Sequence, residues 1–231
     1  MNSKDLSIIY EDNHLLVVNK PAGTLVQGDA TGDIPLVEIG KDYISKKYGK
    51  PGAVFLGVVH RLDRPVSGVV VFARTSKALE RMNALFRNKE TKKTYWAIVS
   101  NSPPRSEDTL VHWLVKDEKK NKTTAYKRDT PEGQRSELSY KVVAQSGERF
   151  LLEVNPVTGR PHQIRVQLAS MGCPIVGDLK YGASSPTEDA SIALHAGQLE
   201  FVHPVKKEKL TLRAELPGNP FWKAFPFVFQ P

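Results

Sequence analysis

The stretch Leu138-Ser139-Tyr140-Lys141-Val142-Val143-Ala144-Gln145-Ser146-Gly147-Glu148-Arg149-Phe150-Leu151-Leu152-Glu153-Val154 decides the fold class. Leu138 to Ala144 and Phe150 to Val154 are strand-like runs, and Ser146-Gly147 between them are turn residues. So short a link joins antiparallel neighbours; a parallel pair needs a crossover of a dozen or more residues. Working outward, residues 108–127 read the same way. They give a strand around Leu110 to Val115, a Lys-rich turn, and a strand at Thr123 to Tyr126. Near the N-terminus, Ser7 to Tyr10 and Leu15 to Asn19 flank the polar Glu11-Asp12-Asn13-His14.

Ala53 to Val59 and Gly68 to Ala73 read as buried strands and Thr94 to Val99 as another. Ile192 to Ala196, Leu199 to His203 and Lys209 to Ala214 read as three short ones. Helices are few. One starts near Pro35, a residue suited to a first helical position, and ends at Gly49, with Leu36, Ile39, Tyr43 and Ile44 on one face. A second follows Ser76, whose hydroxyl can cap it, and carries the stripe Ala78, Leu79, Met82, Leu85 and Phe86. A third runs from Pro161 to Met171, directing Ile164, Leu168 and Met171 to the core, with Gly172 just past its end. The strand–helix alternation of a doubly wound fold is absent. The expected class is therefore α+β, with a largely antiparallel or mixed central sheet flanked by helices and loops. No internal repeat or low-complexity linker divides residues 1–231, which read as one domain.

The chain carries 33 Lys+Arg against 25 Asp+Glu, a net charge of +8. Such a surface attracts polyanions, with nucleic acid the leading partner, an anionic membrane surface the alternative and simple solubility the third reading. The single cysteine, Cys173, excludes an internal disulfide framework and a cysteine-based zinc site, and suits a reducing compartment. The N-terminal residues are polar, and no apolar run approaches the roughly 20 residues that span a bilayer. The reading is cytoplasmic, with no membrane contact, no obligate protein partner and a monomer as the default. The six histidines lack HExxH or any compact ligand spacing, and phosphate-loop, dinucleotide and G-x-S-x-G motifs are missing. No metal site and no cofactor are expected.

Three polar stretches interrupt the apolar elements. His60-Arg61-Leu62-Asp63-Arg64-Pro65-Val66-Ser67-Gly68 lies between two runs read as buried. Asp63 there is either a turn aspartate capping backbone donors or an ionised nucleophile in an electropositive pocket. Thr158-Gly159-Arg160-Pro161-His162-Gln163-Ile164-Arg165 opens the third helix. Arg165 is either a solvated helix arginine or a guanidinium pairing with a buried carboxylate. Lys92-Lys93-Thr94-Tyr95-Trp96-Ala97 puts Lys93, Tyr95 and Ala97 on one strand face, where Tyr95 either fills the core or stacks on a base.

Together these stretches resemble the RluA-type family of pseudouridine synthases, in order along nearly the whole chain. Ile8-Ile9-Tyr10-Glu11-Asp12 through Val18-Asn19-Lys20-Pro21-Ala22-Gly23 resembles the family's first strand pair. His60-Arg61-Leu62-Asp63 with Ser67-Gly68 resembles its catalytic motif, Lys93-Thr94-Tyr95 its aromatic motif, and Thr158 to Arg165 its arginine motif. Leu194-His195-Ala196, with Leu199, Phe201, His203 and Pro204, resembles its closing motif. The resemblance implies that Asp63 is the catalytic aspartate, Tyr95 the pocket aromatic and Arg165 the partner of Asp63. It makes His60, Arg61, Arg64, Lys93, Arg160, His162, Gln163 and Leu194 candidates for substrate contact. Val66 stands where the family motif usually has threonine. Relatives often carry a small RNA-binding domain ahead of the catalytic one; here the catalytic pattern begins within about ten residues of Met1, so no such domain is expected.

The implied reaction isomerises a uridine of tRNA or ribosomal RNA to pseudouridine. It breaks the N1–C1′ bond and forms C5–C1′ without electron transfer or water, which agrees with the missing cofactor motifs. A hydrolytic glycosidase commonly uses two carboxylates, and none lies close to Asp63 in sequence. The other readings are a non-catalytic RNA-binding protein on the same fold and an RNA or nucleoside glycosidase. Lys116, Lys119, Lys120, Lys122, Lys127 and Arg128 in the hairpin, and Lys89, Lys92 and Lys93 before Tyr95, are either RNA-backbone contacts or a solvated face.

Overall fold

The computed structural model describes residues 3–226. The chain divides into two compact units, Met1–Lys92 with Ala196–Glu215, and Lys93–His195 with Leu216–Pro231. In the first unit, β1 (Ile8–Glu11) pairs with β2 (Leu15–Lys20), and β2 pairs with β4 (Ser67–Ala73). The two-residue β3 (Gly57–Val58) joins the end of β4. Beyond β4 lies β10 (Leu194–Val202), through its residues from Ala196 on, edged by β11 (Lys209–Arg213). All the ladders registered here are antiparallel. Every residue of β4 is buried, so this strand reads as a continuous apolar run rather than an alternation. Leu15, Val17, Val69, Val71, Met82, Leu199, Phe201 and Leu212 form the core of this unit.

Helix α1 (Leu36–Tyr48) ends where Gly49 turns left-handed at φ 57°, the conformation glycine adopts without Cβ strain. Pro35 is its extended N-cap and not its first helical residue. Helix α2 (Ser76–Arg87) is capped by Thr75, whose Oγ1 accepts from the Ala78 N–H at 3.1 Å; Ser76 is the first helical residue and not the cap. The expected strand Ala53–Val59 contracts to β3. Phe55 is about half exposed, so this segment is not a buried run.

In the second unit the strand order is β5-β9-β8-β6-β7. These are β5 (Lys92–Val99, from Lys93 on), β6 (Glu107–Asp117), β7 (Lys122–Tyr126), β8 (Gln134–Ser146) and β9 (Arg149–Pro156). The opening stretch is the β8–β9 hairpin, turning at Gly147 with φ 57°. Residues 108–127 form the β6–β7 hairpin. Helix α3 (Gln163–Ser170) starts after Pro161, because His162 sits in the left-handed region as its N-cap. Ile164 and Leu168 are buried, whereas Met171 is only partly covered. The expected pair of strands around Leu194 and Leu199 is one continuous β10, and a short α4 (Pro220–Lys223) near the C-terminus lies outside the expected elements. The α+β class holds: sheets dominate, and helices are few.

Candidate active site

Asp63 sits on a tight turn, closed by the Val66 N–H donating to the Asp63 carbonyl at 3.0 Å. Leu62 and Val66 on either side are buried, and Asp63 between them stays partly accessible. The apolar neighbours pin the turn while the carboxylate is presented. Val66 is only 2% exposed, so its methyl groups fill space that a hydroxyl would have to share with the core. Ser67 and Gly68 carry the chain into β4. Gly68, at φ 120°, lies so close to the Ala196 backbone that a Cβ would fall within 2.3 Å of its carbonyl oxygen.

The turn is tied from behind by two reciprocal bonds. The Gly23 N–H donates to the Arg64 carbonyl at 2.8 Å, and Arg64 Nε donates to the Gly23 carbonyl at 3.0 Å. The outer end of Arg64 pairs with Asp33 at 2.7 Å. His60 Nε2 accepts from the Val71 N–H at 3.2 Å, and its ring stacks on Phe86 at 4.9 Å. His60 therefore ties the turn to the backbone of β4 and to α2. Arg61 is exposed and lines, with Gln27, Pro35, Lys41, Leu56 and Val58, a cleft of about 690 Å³.

In the second unit the arginine motif forms its own network. Gln163 is buried; its Oε1 accepts from Thr158 Oγ1 at 2.8 Å and the Arg160 N–H at 3.0 Å, and its Nε2 donates to the Glu137 carbonyl at 3.1 Å. Its amide thus braces the 158–160 loop. Arg165 is buried and forked onto Asp178, Nε to Oδ2 at 2.7 Å and Nη2 to Oδ1 at 2.8 Å. The fork uses two of the five guanidinium N–H groups. The face of Arg165 lies 5.1 Å from the centre of the Tyr181 ring. Tyr181 Oη accepts from the Thr123 N–H at 2.9 Å and lies 2.7 Å from His162 Nδ1. Burial raises the Tyr181 hydroxyl above its ordinary pKa.

Arg160 is exposed, Lys93 and Tyr95 are partly covered, and Leu194 is buried. Tyr95 lies opposite Val154 in the β5–β9 ladder. Within the second unit, then, the fold groups Arg160, His162, Gln163 and Arg165 on one loop and helix start. Within the first it groups His60, Arg61, Asp63 and Arg64 on one turn. Sequence reasoning missed Asp178 and Tyr181. The available signal was a carboxylate closing the apolar run Pro174-Ile175-Val176, with glycines at 177 and 182. Among the described residues no cluster of three or more His, Cys, Asp or Glu side chains could hold a metal ion.

The fold is α+β, with Asp63 partly covered on a pinned turn of the first unit and a buried, forked arginine in the second. The RNA pseudouridylate synthase family model matches residues 14–170, and the chain belongs to that family. It is 35% identical over 224 residues to the ribosomal large subunit pseudouridine synthase C of Vibrio cholerae, covering 92% of this chain and 66% of that one. It is 34% identical over 218 residues to an uncharacterized RNA pseudouridine synthase of Bacillus subtilis, covering 93% of this chain and 70% of that one. The solved structure of human RNA pseudouridylate synthase domain containing 4 matches with a TM-score of 0.80 at 27% identity, over 96% of this chain and 93% of that one. The chain spans slightly under two-thirds of the length of the Vibrio cholerae relative. No helix among the described residues is long and apolar enough to cross a membrane.

Proposed function

We propose that this protein is an RNA pseudouridine synthase acting in the cytoplasm, with Asp63 as its nucleophile. The observation that carries the reading is the Asp63–Val66 turn, with buried residues on both sides of a partly accessible carboxylate. A family model running from residue 14 to 170, through parts of both units, supports their working as one catalytic domain. In the reaction the Asp63 carboxylate drives cleavage of N1–C1′, uracil turns in its pocket, C5 bonds to C1′, and the C5 proton is lost while N1 gains one. Atoms and electrons balance without a cofactor.

Arg165, braced by its fork onto Asp178, is the arginine of the catalytic machinery. Tyr95 stacks on the extruded base, returning about 1–3 kcal/mol against an unstacking cost of a few. Tyr95 also relays the C5 proton through its hydroxyl. His60 and Gln163, whose side chains meet protein partners, act by shaping the motifs. Arg61, Lys93, Arg160 and the β6–β7 cations meet the RNA backbone. The substrate class is ribosomal RNA of the large subunit, by analogy with the relative that is 35% identical.

Asp63→Ala tests the reading. Tritium release from 5-³H-uridine RNA should vanish while RNA affinity stays within a few-fold. Turnover near that of the unaltered protein rules out Asp63 as nucleophile, and free uracil as the main product points to a glycosidase. Pseudouridine mapping of total RNA with and without the protein identifies the target uridine.

A further inference from the structure

Lys20, the last residue of β2, is wholly enclosed. Its register partner is Gly68, the residue that leads out of the Asp63 turn. The ammonium has three N–H groups, and three carbonyl oxygens receive them: Thr24 at 2.8 Å, Pro21 at 3.0 Å and Arg64 at 3.2 Å. Its hydrogen-bond neighbours are thus carbonyls, not a carboxylate. Two of them belong to the turn around Gly23 and one to the turn that carries Asp63. The Arg64 oxygen also receives the Gly23 N–H, so one atom joins all three segments.

An interior ammonium with no ion pair among the described residues is expensive, and an apolar side chain of similar volume would fill the space without that cost. Burial pushes Lys20 down to about 7, the Asp63 carboxylate opposes that through space, and Arg64 adds to it. The charges acting on Lys20 are therefore those of the catalytic turn itself. A clamp on the carbonyls of the turn fixes where its carboxylate points.

We propose that Lys20 is a positioning residue for Asp63: its ammonium clamps the catalytic turn to the Pro21–Thr24 turn and so fixes where the carboxylate points. The proposal rests on the reading of Asp63 as nucleophile.

Two variants separate charge from clamp. Lys20→Gln keeps two N–H donors for the carbonyls and removes the charge; Lys20→Met removes both. With large-subunit ribosomal RNA carrying 5-³H-uridine, folded Lys20→Gln should keep KM within about threefold and lose kcat on the order of 10- to 100-fold, the scale set by a small misplacement of a reacting group. Lys20→Met should lose at least as much, again in kcat. A folded Lys20→Gln with unchanged kcat overturns the proposal. So does a chain that folds with neither substitution, because Lys20 is then needed for the fold alone. Asp63→Asn, run in parallel, tells the two failures apart. If it turns over, the nucleophile assignment fails; if it is dead while Lys20→Gln is normal, only the role of Lys20 fails.

Discussion

Arg165 and Asp178, thirteen residues apart, face each other in a two-pronged buried pair with N–O distances of 2.7 and 2.8 Å. Neither side chain is more than 6% exposed. Removing Asp178 takes away the carboxylate that receives two N–H groups of a buried guanidinium. Asp178→Ala should therefore destabilise the protein by about 3–5 kcal/mol, and replacing both members with apolar residues should cost less than that single change. Urea unfolding measures both. A loss below about 1 kcal/mol for Asp178→Ala would mean that the guanidinium finds water, and the buried-pair account would fail.

Gly68 meets the Ala196 backbone so closely that a Cβ has nowhere to go, and its φ of 120° is unfavourable for any side chain. The obstruction is backbone, which cannot rotate away. Gly68→Ala should cost more than the roughly 1 kcal/mol typical of glycine replacement at an unfavourable φ, and should displace the start of β4. Gly23, also at positive φ but with open space around it, is the control. Equal thermal shifts for the two alanine variants would refute the steric argument.

Acid should weaken the first unit in two stages. Buried His203 accepts the Val205 and Lys206 N–H groups at Nδ1, and its Nε2 lies 3.0 Å from Asp12, poorly aligned for a hydrogen bond. Burial holds its pKa below the ordinary 6.5, despite the pull of Asp12. The unfolded chain therefore binds this proton more readily, so the stability from neutral His203 is present above pH 6.5 and lost as pH falls below it. Burial raises the Asp12 carboxyl, but the His14 and Leu15 N–H groups, Lys206 and Tyr10 outweigh it and hold Asp12 below its ordinary 3.8. Its contribution is present above pH 3.8 and lost below. Thermal midpoints should fall from pH 7 to 5 and again below 4. His203→Asn, which keeps an acceptor for the two N–H groups, should flatten the first step except for the share of His112, lowered by burial and Lys127. An unaltered first step removes His203 as its source.

The β6–β7 hairpin carries Lys119, Lys120, Lys127 and Arg128, all exposed, whereas neighbouring Lys116 is engaged by Glu118 at 2.6 Å. If the four meet RNA phosphates, each replacement by glutamine should lower the slope of log affinity against log salt by roughly 0.7–1. Lys46, which pairs with Asp42 on α1, is the control. Filter binding across a salt series checks this, and four unchanged slopes would return the cluster to a solvated face.

Much of this was legible in the chain. The hairpins at 107–126 and 134–156 follow from local turn chemistry and short connections, which act within a few residues. The helix ending at Gly49 follows from the left-handed cap. The Ala53–Val59 run misled, because apolar composition does not say whether a partner strand is available; here only Gly57 and Val58 find one. Thr75 displaced Ser76 as a cap through a one-residue shift in where the helix begins, a choice between two adjacent hydroxyls that sequence does not rank.

The sequence by itself determined the order of motifs, the α+β class and the candidate carboxylate at position 63, because periodicity, turn residues and motif spacing are written locally. The tertiary structure alone decided that Lys20 is enclosed by three carbonyls, that Arg165 is forked onto Asp178, and that Gln163 spends its amide on a loop. Desolvation and hydrogen-bond satisfaction belong to the packed surroundings of a side chain. Those surroundings are assembled from segments that the linear order keeps apart, such as residues 20 and 64 or 137 and 163.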